Sequence, residues 1–290
     1  MGVAPRDTSV AVVTDSTSYL PPGAAEALAV QVVPLQVIIG GVVRAEGAEI
    51  APSDVAAVLA RGHSVSTSRP SPALFADAYR RALHGGATAI VSVHLSAAMS
   101  GTVDAARMAA ADVAGDTGAD IRVVDSRSVA MGMGFAVLEA ARRAVDGAGI
   151  DEVERAARHT LAQTRAYFYV ATLEYLRRGG RLGAARALLG SAFGVKPLLQ
   201  LSEGRIEPLE NVRTSARAIA RLEAIAVDYA DDDPVAIAVH HLGALERAEA
   251  VAKALDERLP KVDDLVTCEV GAVVGSHTGP VMLAVVVCKR

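Results

Sequence analysis

The first half of the chain repeats one hydrophobic pattern: a near-continuous apolar run, a short polar loop, then an alanine-rich helical segment. S-V-A-V-V-T-D-S-T from Ser9 begins the first such unit, followed by Pro21-Pro22 and a helical stretch. A-I-V-S-V-H-L-S leads into A-A-M-S-G-T, and I-R-V-V-D-S leads into R-S-V-A-M-G-M-G. Runs that do not alternate are buried on both faces, so these units predict a parallel sheet covered by helices on each side. Any ligand then belongs at the carboxyl ends of the strands. Between the first two units, V-V-P-L-Q-V-I-I and V-V-R-A-E flank Gly40-Gly41 with the spacing of a hairpin. Pro52, Ser53 and Asp54 open a helix, and T-S-R-P-S-P, Thr67 to Pro72, reads as a loop before a helix over about 73–83.

The second half follows a different pattern. Y-F-Y-V-A-T, V-K-P-L-L-Q-L and R-I-E-P-L-E are strand candidates, the last two joined at Ser202-Glu203-Gly204, which predicts a second sheet with antiparallel content. From Arg213 to Tyr229 the helical period places Ala216, Ile219, Ala220, Leu222, Ile225, Ala226 and Tyr229 on one stripe, with Arg217, Arg221 and Asp228 off it. V-A-I-A-V-H-H, a charged helix from about Ala244, L-V-T-C-E-V and V-M-L-A-V-V-V complete this part. The length of 290 residues suits two domains. The expected boundary lies between Gly149 and Thr164, where D-E-V-E-R-A-A-R-H forms a charged helix that could cross between lobes. The expectation is an α/β lobe over 1–155, with the hairpin at about 32–46 able to join the other lobe, and a second α/β lobe over 156–290.

Composition narrows the function. Hydrophobic residues make up 51% of the chain but aromatic residues only 3%, so the core is aliphatic and stacking is poorly supplied. A net charge of -4 and the lack of Trp argue against general nucleic-acid binding. The longest stretch without Asp, Glu, Lys or Arg, Ala82 to Val103, is rich in Ser, Thr, Gly and His, unlike a membrane span. The opening M-G-V-A-P-R-D-T-S carries no apolar signal core, and Cys268 and Cys288 cannot build a disulfide framework, so a cytoplasmic location is expected.

The candidate chemistry lies in hydroxyl-rich loops at strand ends: Thr14-Asp15-Ser16-Thr17, Thr67-Ser68, Ser100-Gly101-Thr102 and Asp125-Ser126. Ser16 and Ser126 fit ordinary helix caps. Ser100-Gly101 at a helix start also suits a bound anion. G-S-H-T-G-P, Gly275 to Pro280, reads as a polar loop between apolar runs and brings His277 and Thr278 into view. A serine hydrolase using Ser100 and His277 is one reading, although A-M-S-G lacks the first glycine of a nucleophile elbow. No H-E-x-x-H occurs, and adjacent His240 and His241 on a strand point to opposite faces, so no metal site is expected. Gly132-Met133-Gly134 follows a strand, but Val137 stands where the third glycine of a dinucleotide fingerprint belongs. L-R-R-G-G-R-L-G, Leu176 to Gly183, is either a solvated turn or a guanidinium clamp for an acid.

Together T-D-S-T, T-S-R-P-S-P, L-S-A-A-M-S-G-T, D-S-R-S-V-A-M-G-M-G, L-E-Y-L-R-R-G-G-R-L, G-V-K-P-L-L and G-S-H-T-G-P resemble the DegV family, in the family's order and across nearly the whole chain. That resemblance implies a Rossmann-like parallel-sheet lobe and a second α/β lobe with a mixed or antiparallel sheet. It also implies a long-chain fatty acid between the lobes as ligand, without catalysis or cofactor. Some members serve as the B subunit of bacterial fatty acid kinase, in phospholipid metabolism, presenting the acyl carboxyl group to a separate kinase subunit. On the matching positions, Thr67 and Ser100, with Ser68, Gly101 and Thr102 beside them, face the carboxylate. His277 and Thr278 close over it, Arg178 and Arg181 supply charge at the mouth, and Arg213 meets the kinase or its phosphate.

The chain departs from the family pattern in the hairpin, where V-V-R-A-E-G replaces an aromatic residue and Asp. Arg69 stands in place of Gln, and Val281 in place of a second Gly after H-T-G-P. A lipid-sensing regulator and the Ser100–His277 hydrolase are the competing readings.

Overall fold

The computed structural model describes residues 9–188 and 196–290; the first eight residues, and Gly194 and Val195 of the G-V-K-P-L-L motif, lie outside them. The chain begins with β1 (Val10–Asp15) and β2 (Gln31–Val33) and passes through β3 (Gln36–Ile39), β4 (Val42–Ala45) and β5 (Val65–Ser68). It then continues into β6 (Ala89–His94) and β7 (Asp120–Asp125). β2, β1, β6 and β7 lie side by side, all parallel. Both faces are covered, as the apolar runs predict. Val12, Val91 and Val93 pack with helices Met131–Val145 and Ile150–Ala162. Val13 and Ile90 pack on the other side with Phe75 and Tyr79 of helix Pro72–His84 and Ala106 and Val113 of helix Thr102–Thr117.

V-V-P-L-Q-V-I-I is two strands rather than one. Proline has no N–H for a ladder, and on either side of Pro34 the chain changes sheet: β2 stays in the parallel sheet and β3 leaves it. β3 and β4 form the predicted hairpin, turning at Gly40 (φ 58) and Gly41 (φ 81). Two successive positive φ values match the twist of the flanking strands. β5 pairs with the other edge of β3, so the hairpin builds a small antiparallel sheet and joins neither large one. Val37, Ile50, Val55 and Leu59 of this region share a core with Ala272 and Val273 from the far end of the chain.

The second lobe comprises β8 (Thr164–Tyr169), β9 (Lys196–Ser202), β10 (Arg205–Val212), β11 (Val235–His241), β12 (Val262–Glu269) and β13 (Leu283–Lys289). Their order is β10-β9-β8-β13-β11-β12; β11 and β12 are parallel and the other neighbours antiparallel. Side chains alternate between its faces. Tyr167, Tyr169, Ile237, Val239, Val285 and Val287 lie beneath helices Ser215–Ala230 and Leu245–Arg258. Ala166, Phe168, Ala284 and Val286 belong to cores on the opposite face, where Ala236 and Ala238 meet Met131 and Phe135 of the first lobe.

Two further details differ from the sequence reading. Helix Ile150–Ala162 does not cross between lobes: Val153 and Ala157 are buried in the first core, and Arg122 of β7 pairs with Asp151 at 2.6 Å and Glu154 at 3.1 Å. A boundary at residue 155 therefore cuts this helix, and the chain enters the second sheet at Thr164. On helix Ser215–Ala230 the buried row is Ala218, Leu222, Ala226 and Ala230, whereas Ala216 and Ala220 are exposed. Alanine marks either face equally well, so the expected stripe was set by its larger members and rotated slightly. Ala218→Glu should destabilise the protein by about 3 kcal/mol or more by burying an unpaired charge, and Ala216→Glu should stay within about 0.5 kcal/mol. Denaturant unfolding of both variants checks the assignment.

Candidate functional site

The loops at the carboxyl ends of β6 and β7 face one set of alternating residues of the second sheet across a chamber. Its empty space is about 930 Å³, including the open mouth. Leu95, Met99, Val129 and Ala130 supply one wall, and Ala166, Phe168, Leu201, Ala284 and Val286 another. Val273 and Val274 of helix Ala272–Thr278 close a side. The lining is apolar except at one end, where Thr67, Ser68, Arg69, Ser100, Arg181, His277 and Thr278 gather, and at His240.

G-S-H-T-G-P is not the loop its composition suggested. Residues Ala272–Thr278 are helical, and the hydroxyls bond to the helix itself: Ser276 Oγ donates to the Val273 carbonyl at 2.8 Å and Thr278 Oγ1 to the Val274 carbonyl at 3.1 Å. Gly279, at φ 72, ends the helix. His277 in its last turn reaches across to Thr67, which lies within β5 rather than in a loop; Nε2 and Thr67 Oγ1 are 2.9 Å apart. The other nitrogen, Nδ1, is buried without a hydrogen-bond partner and lies against Gly179, where any Cβ would overlap the ring. Burial, reinforced by the Arg181 charge, lowers the His277 pKa to about 4.

The R-R-G-G-R cluster divides. Arg177 and Arg178 are exposed and both bond Glu174 at 2.7 Å, so Arg178 does not reach the chamber. Arg181 turns inward, half-buried, with Nε donating to the Met99 carbonyl at 3.1 Å and Nη1 to the Gly179 carbonyl. Among the described residues no carboxylate pairs with it, and burial pushes its pKa down. Arg69 lies over Gly101, its Nη1 donating to the Gly101 carbonyl at 3.3 Å; a Cβ on Gly101 would strike the guanidinium. Ser100 Oγ is 2.9 Å from Thr102 Oγ1, and Thr102 is buried beneath the loop. Ser68 Oγ donates to Gln36 Oε1 at 2.9 Å. Thus Ser100 and His277 share no hydrogen bond among the described residues, and no acid orients His277 Nδ1. Arg213 is exposed and is not among these lining residues; it stands where β10 leads into helix Ser215–Ala230.

T-D-S-T serves the scaffold. The buried Asp15 carboxylate accepts from Thr17 N and Leu95 N, each at 3.0 Å, and meets His94 Nδ1 at 3.1 Å. His94 Nε2 continues to Ser92 Oγ at 2.6 Å, which accepts from Tyr79 Oη at 2.9 Å. This network fixes the ends of β1 and β6 beneath the chamber. The sequence reading missed His240 as a chamber residue, although the expected opposition to His241 holds. His240 Nε2 accepts from the Met131 N–H at 3.1 Å, and Nδ1 lies 3.3 Å from the Cys268 carbonyl. Burial lowers its pKa to about 4. These partners specify a neutral ring with its proton on Nδ1. Among the described residues no cluster of His, Cys, Asp and Glu is arranged to hold a metal, and no helix is long and apolar enough to cross a membrane.

The fold and chamber define a class: two α/β lobes, one built on a parallel and one on a mixed sheet, closing over an apolar space with a polar mouth. The chain belongs to the DegV family, whose model, described as that of an uncharacterised protein family, matches residues 9–290. A DegV domain-containing protein of Streptomyces coelicolor is 54% identical over 281 residues, covering 97% of this chain and 99% of the relative. A structure concerned with fatty acid binding by a DegV family protein of Thermus thermophilus aligns with TM-score 0.91 at 32% identity, covering 97% of this chain and all (100%) of the other. That of DegV, a fatty acid binding protein from Bacillus subtilis, aligns with TM-score 0.88 at 31% identity, covering 98% and 100%.

His277 and His240 each protonate near pH 6.5 when unfolded but only near pH 4 in the fold. Across that window the unfolded chain binds more protons, so their contribution makes stability fall as pH falls. His277→Asn should show a smaller stability loss between about pH 7 and about pH 5 than the parent. Denaturant titrations at both pH values test this, and equal losses would contradict a buried neutral His277.

Proposed function

We propose that the protein binds a long-chain fatty acid in the chamber and, in the cytoplasm, presents the carboxyl group to a separate fatty acid kinase subunit. The observation that carries the binding reading is the mouth: a half-buried Arg181 with no carboxylate partner among the described residues, beside His277 and Thr67, at one end of an apolar space. A carboxylate taken out of water loses several kcal/mol of solvation unless donors replace it, whereas each buried methylene contributes about 0.8 kcal/mol. Head and tail therefore need different surroundings, and this chamber has both. With its proton on Nε2, His277 donates to Thr67 Oγ1 and leaves the Thr67 hydroxyl hydrogen free for the carboxylate. Arg181 supplies charge, and Ser100 adds a hydroxyl. Thr278 lines the mouth with its own hydrogen already donated, and Ser68, Gly101 and Thr102 hold the surrounding loops. The fatty-acid-binding relatives from Thermus thermophilus and Bacillus subtilis support the same ligand class.

The presentation step rests on Arg213, an exposed guanidinium outside the chamber lining. Arg213 gives a kinase surface or its phosphate a cation to meet without disturbing the bound tail. A lipid sensor would use the same chamber but need no phosphoryl transfer.

Denaturing mass spectrometry of purified protein should reveal a fatty acid, and delipidated protein should rebind it. Absence of any acyl ligand together with no calorimetric binding of any chain would reject the reading. Thr67→Ala and Ser100→Ala should each weaken binding by about 1–3 kcal/mol while the protein remains folded. If Ser100→Ala keeps its affinity but removes an esterase activity of the parent, the hydrolase reading replaces this one. Arg213→Glu should keep fatty-acid affinity and abolish acyl-phosphate formation with a cognate kinase. Unchanged phosphoryl transfer would reject its docking role.

A further inference from the structure

Helix Ala272–Thr278 carries His277 but cannot cap its own start. Its N-cap is Gly271, which has no side chain, and a Cβ there would overlap Glu46 Oε1 and the Tyr19 ring. The cap comes instead from the first lobe. Glu46 Oε1 accepts from the Val273 N–H at 2.7 Å, and Tyr19 Oη accepts from the Val274 N–H at 3.1 Å while donating to Glu46 Oε1 at 3.0 Å. Ser16 Oγ donates to Glu46 Oε2 and accepts from the Leu35 N–H at 3.0 Å, which ties the assembly to the turn after β1.

Glu46 is only 5% exposed, and among the described residues it has no cationic partner. Burial raises its pKa, and these hydrogen bonds oppose the rise. A buried acid is costly unless its oxygens are matched; here they are matched by donors from two chain segments and by the start of this one helix. Val273 precedes His277 by four residues and so lies on the same helical face. Val273 and Val274 both line the chamber. The two capped N–H groups thus fix the end of a short rigid element whose other end holds His277 against Thr67.

We propose that Glu46, seconded by Tyr19, is a positioning residue for the chamber mouth: it docks helix Ala272–Thr278 on the first lobe and thereby sets the His277–Thr67 contact. Its consequence for affinity rests on the fatty-acid reading; its consequence for His277 does not.

The test compares the parent, Glu46→Ala, Glu46→Gln and Leu222→Ala, the last in the core on the opposite face of the second sheet, none of whose members lines the chamber. Imidazole NMR signals are read without ligand, and palmitate affinity is measured by calorimetry. Glu46→Ala should shift the His277 signals while leaving those of His240 in place, and should weaken palmitate binding by about tenfold. Glu46→Gln, whose amide oxygen still accepts from Val273, should restore both within about twofold. Leu222→Ala should lower stability with neither change. Unmoved His277 signals in Glu46→Ala, a Gln variant that behaves like Ala, or the same shift in Leu222→Ala would each overturn the proposal. If Glu46→Ala does not fold, Tyr19→Phe removes one cap and should shift His277 in the same direction; no shift there would also overturn it. A parent that binds no palmitate refutes the fatty-acid reading alone, because the His277 signals still decide the positioning role.

Discussion

Two lobes with an apolar space between them would gain by collapsing onto it, so the space depends on what holds the lobes at a fixed separation. Here polar contacts do this around the chamber. Thr67 meets His277, Arg181 donates to the Met99 carbonyl, and Ser96 Oγ donates to the Gly204 carbonyl at 2.7 Å. The Met131 N–H meets His240, and Glu46 meets the start of helix Ala272–Thr278. Each is directional, and displacement would strand buried polar atoms at a larger cost than a slipped apolar contact. Small residues on the chamber face of the second sheet, such as Ala166 and Ala284, then leave the volume unfilled.

Close contacts of this kind explain several glycines, two of them, Gly101 and Gly179, within the motifs. Gly179 leaves room for His277, Gly101 for Arg69, Gly204 for Ser96, and Gly271 for Glu46 and Tyr19. The Gly204–Ser96 and Gly271–Glu46/Tyr19 contacts join the two lobes, whereas the Gly101–Arg69 pairing lies within the first lobe and Gly179–His277 within the second. A glycine of this kind is specified by a side chain far away in sequence, which is why each motif is weak alone and informative as one of a set.

Much of the fold was legible because burial on two faces leaves apolar runs, and Gly40-Gly41 gives a hairpin its turn. The Pro34 division was less legible: β2, Q-V-V, and β3, Q-V-I-I, are alike in character, and only the sheets they join separate them. G-S-H-T-G-P misled because Ser, Thr and Gly favour turns locally, whereas the hydroxyls of Ser276 and Thr278 bond back to helical carbonyls. At the mouth, residue types identified the chemistry but not the direction of side chains. Arg178 and Arg181 are three residues apart, yet Glu174 holds the first in solvent and the Met99 carbonyl draws the second inward. Neither Glu46 nor His240 belonged to a motif pointing to the chamber; their roles arise from tertiary contacts.

Val281 connects sequence departure to structure most directly. Its φ is 65, a region that favours glycine and is unusual for a β-branched residue, and here Val stands where the family pattern has Gly. Such a conformation persists only where its surroundings over-determine it. The Val281 N–H donates to the Leu242 carbonyl at 2.9 Å, and the Leu242 N–H donates to the Met282 carbonyl at 3.3 Å. These bonds fix the entry into β13 beside the end of β11. Because side chains alternate along a strand, fixing that entry determines that Met282, Ala284 and Val286, rather than Leu283 and Val285, line the chamber. A slip of one residue would place the larger side chains in the space, so strain at Val281 is tolerated where the register of the chamber wall is set.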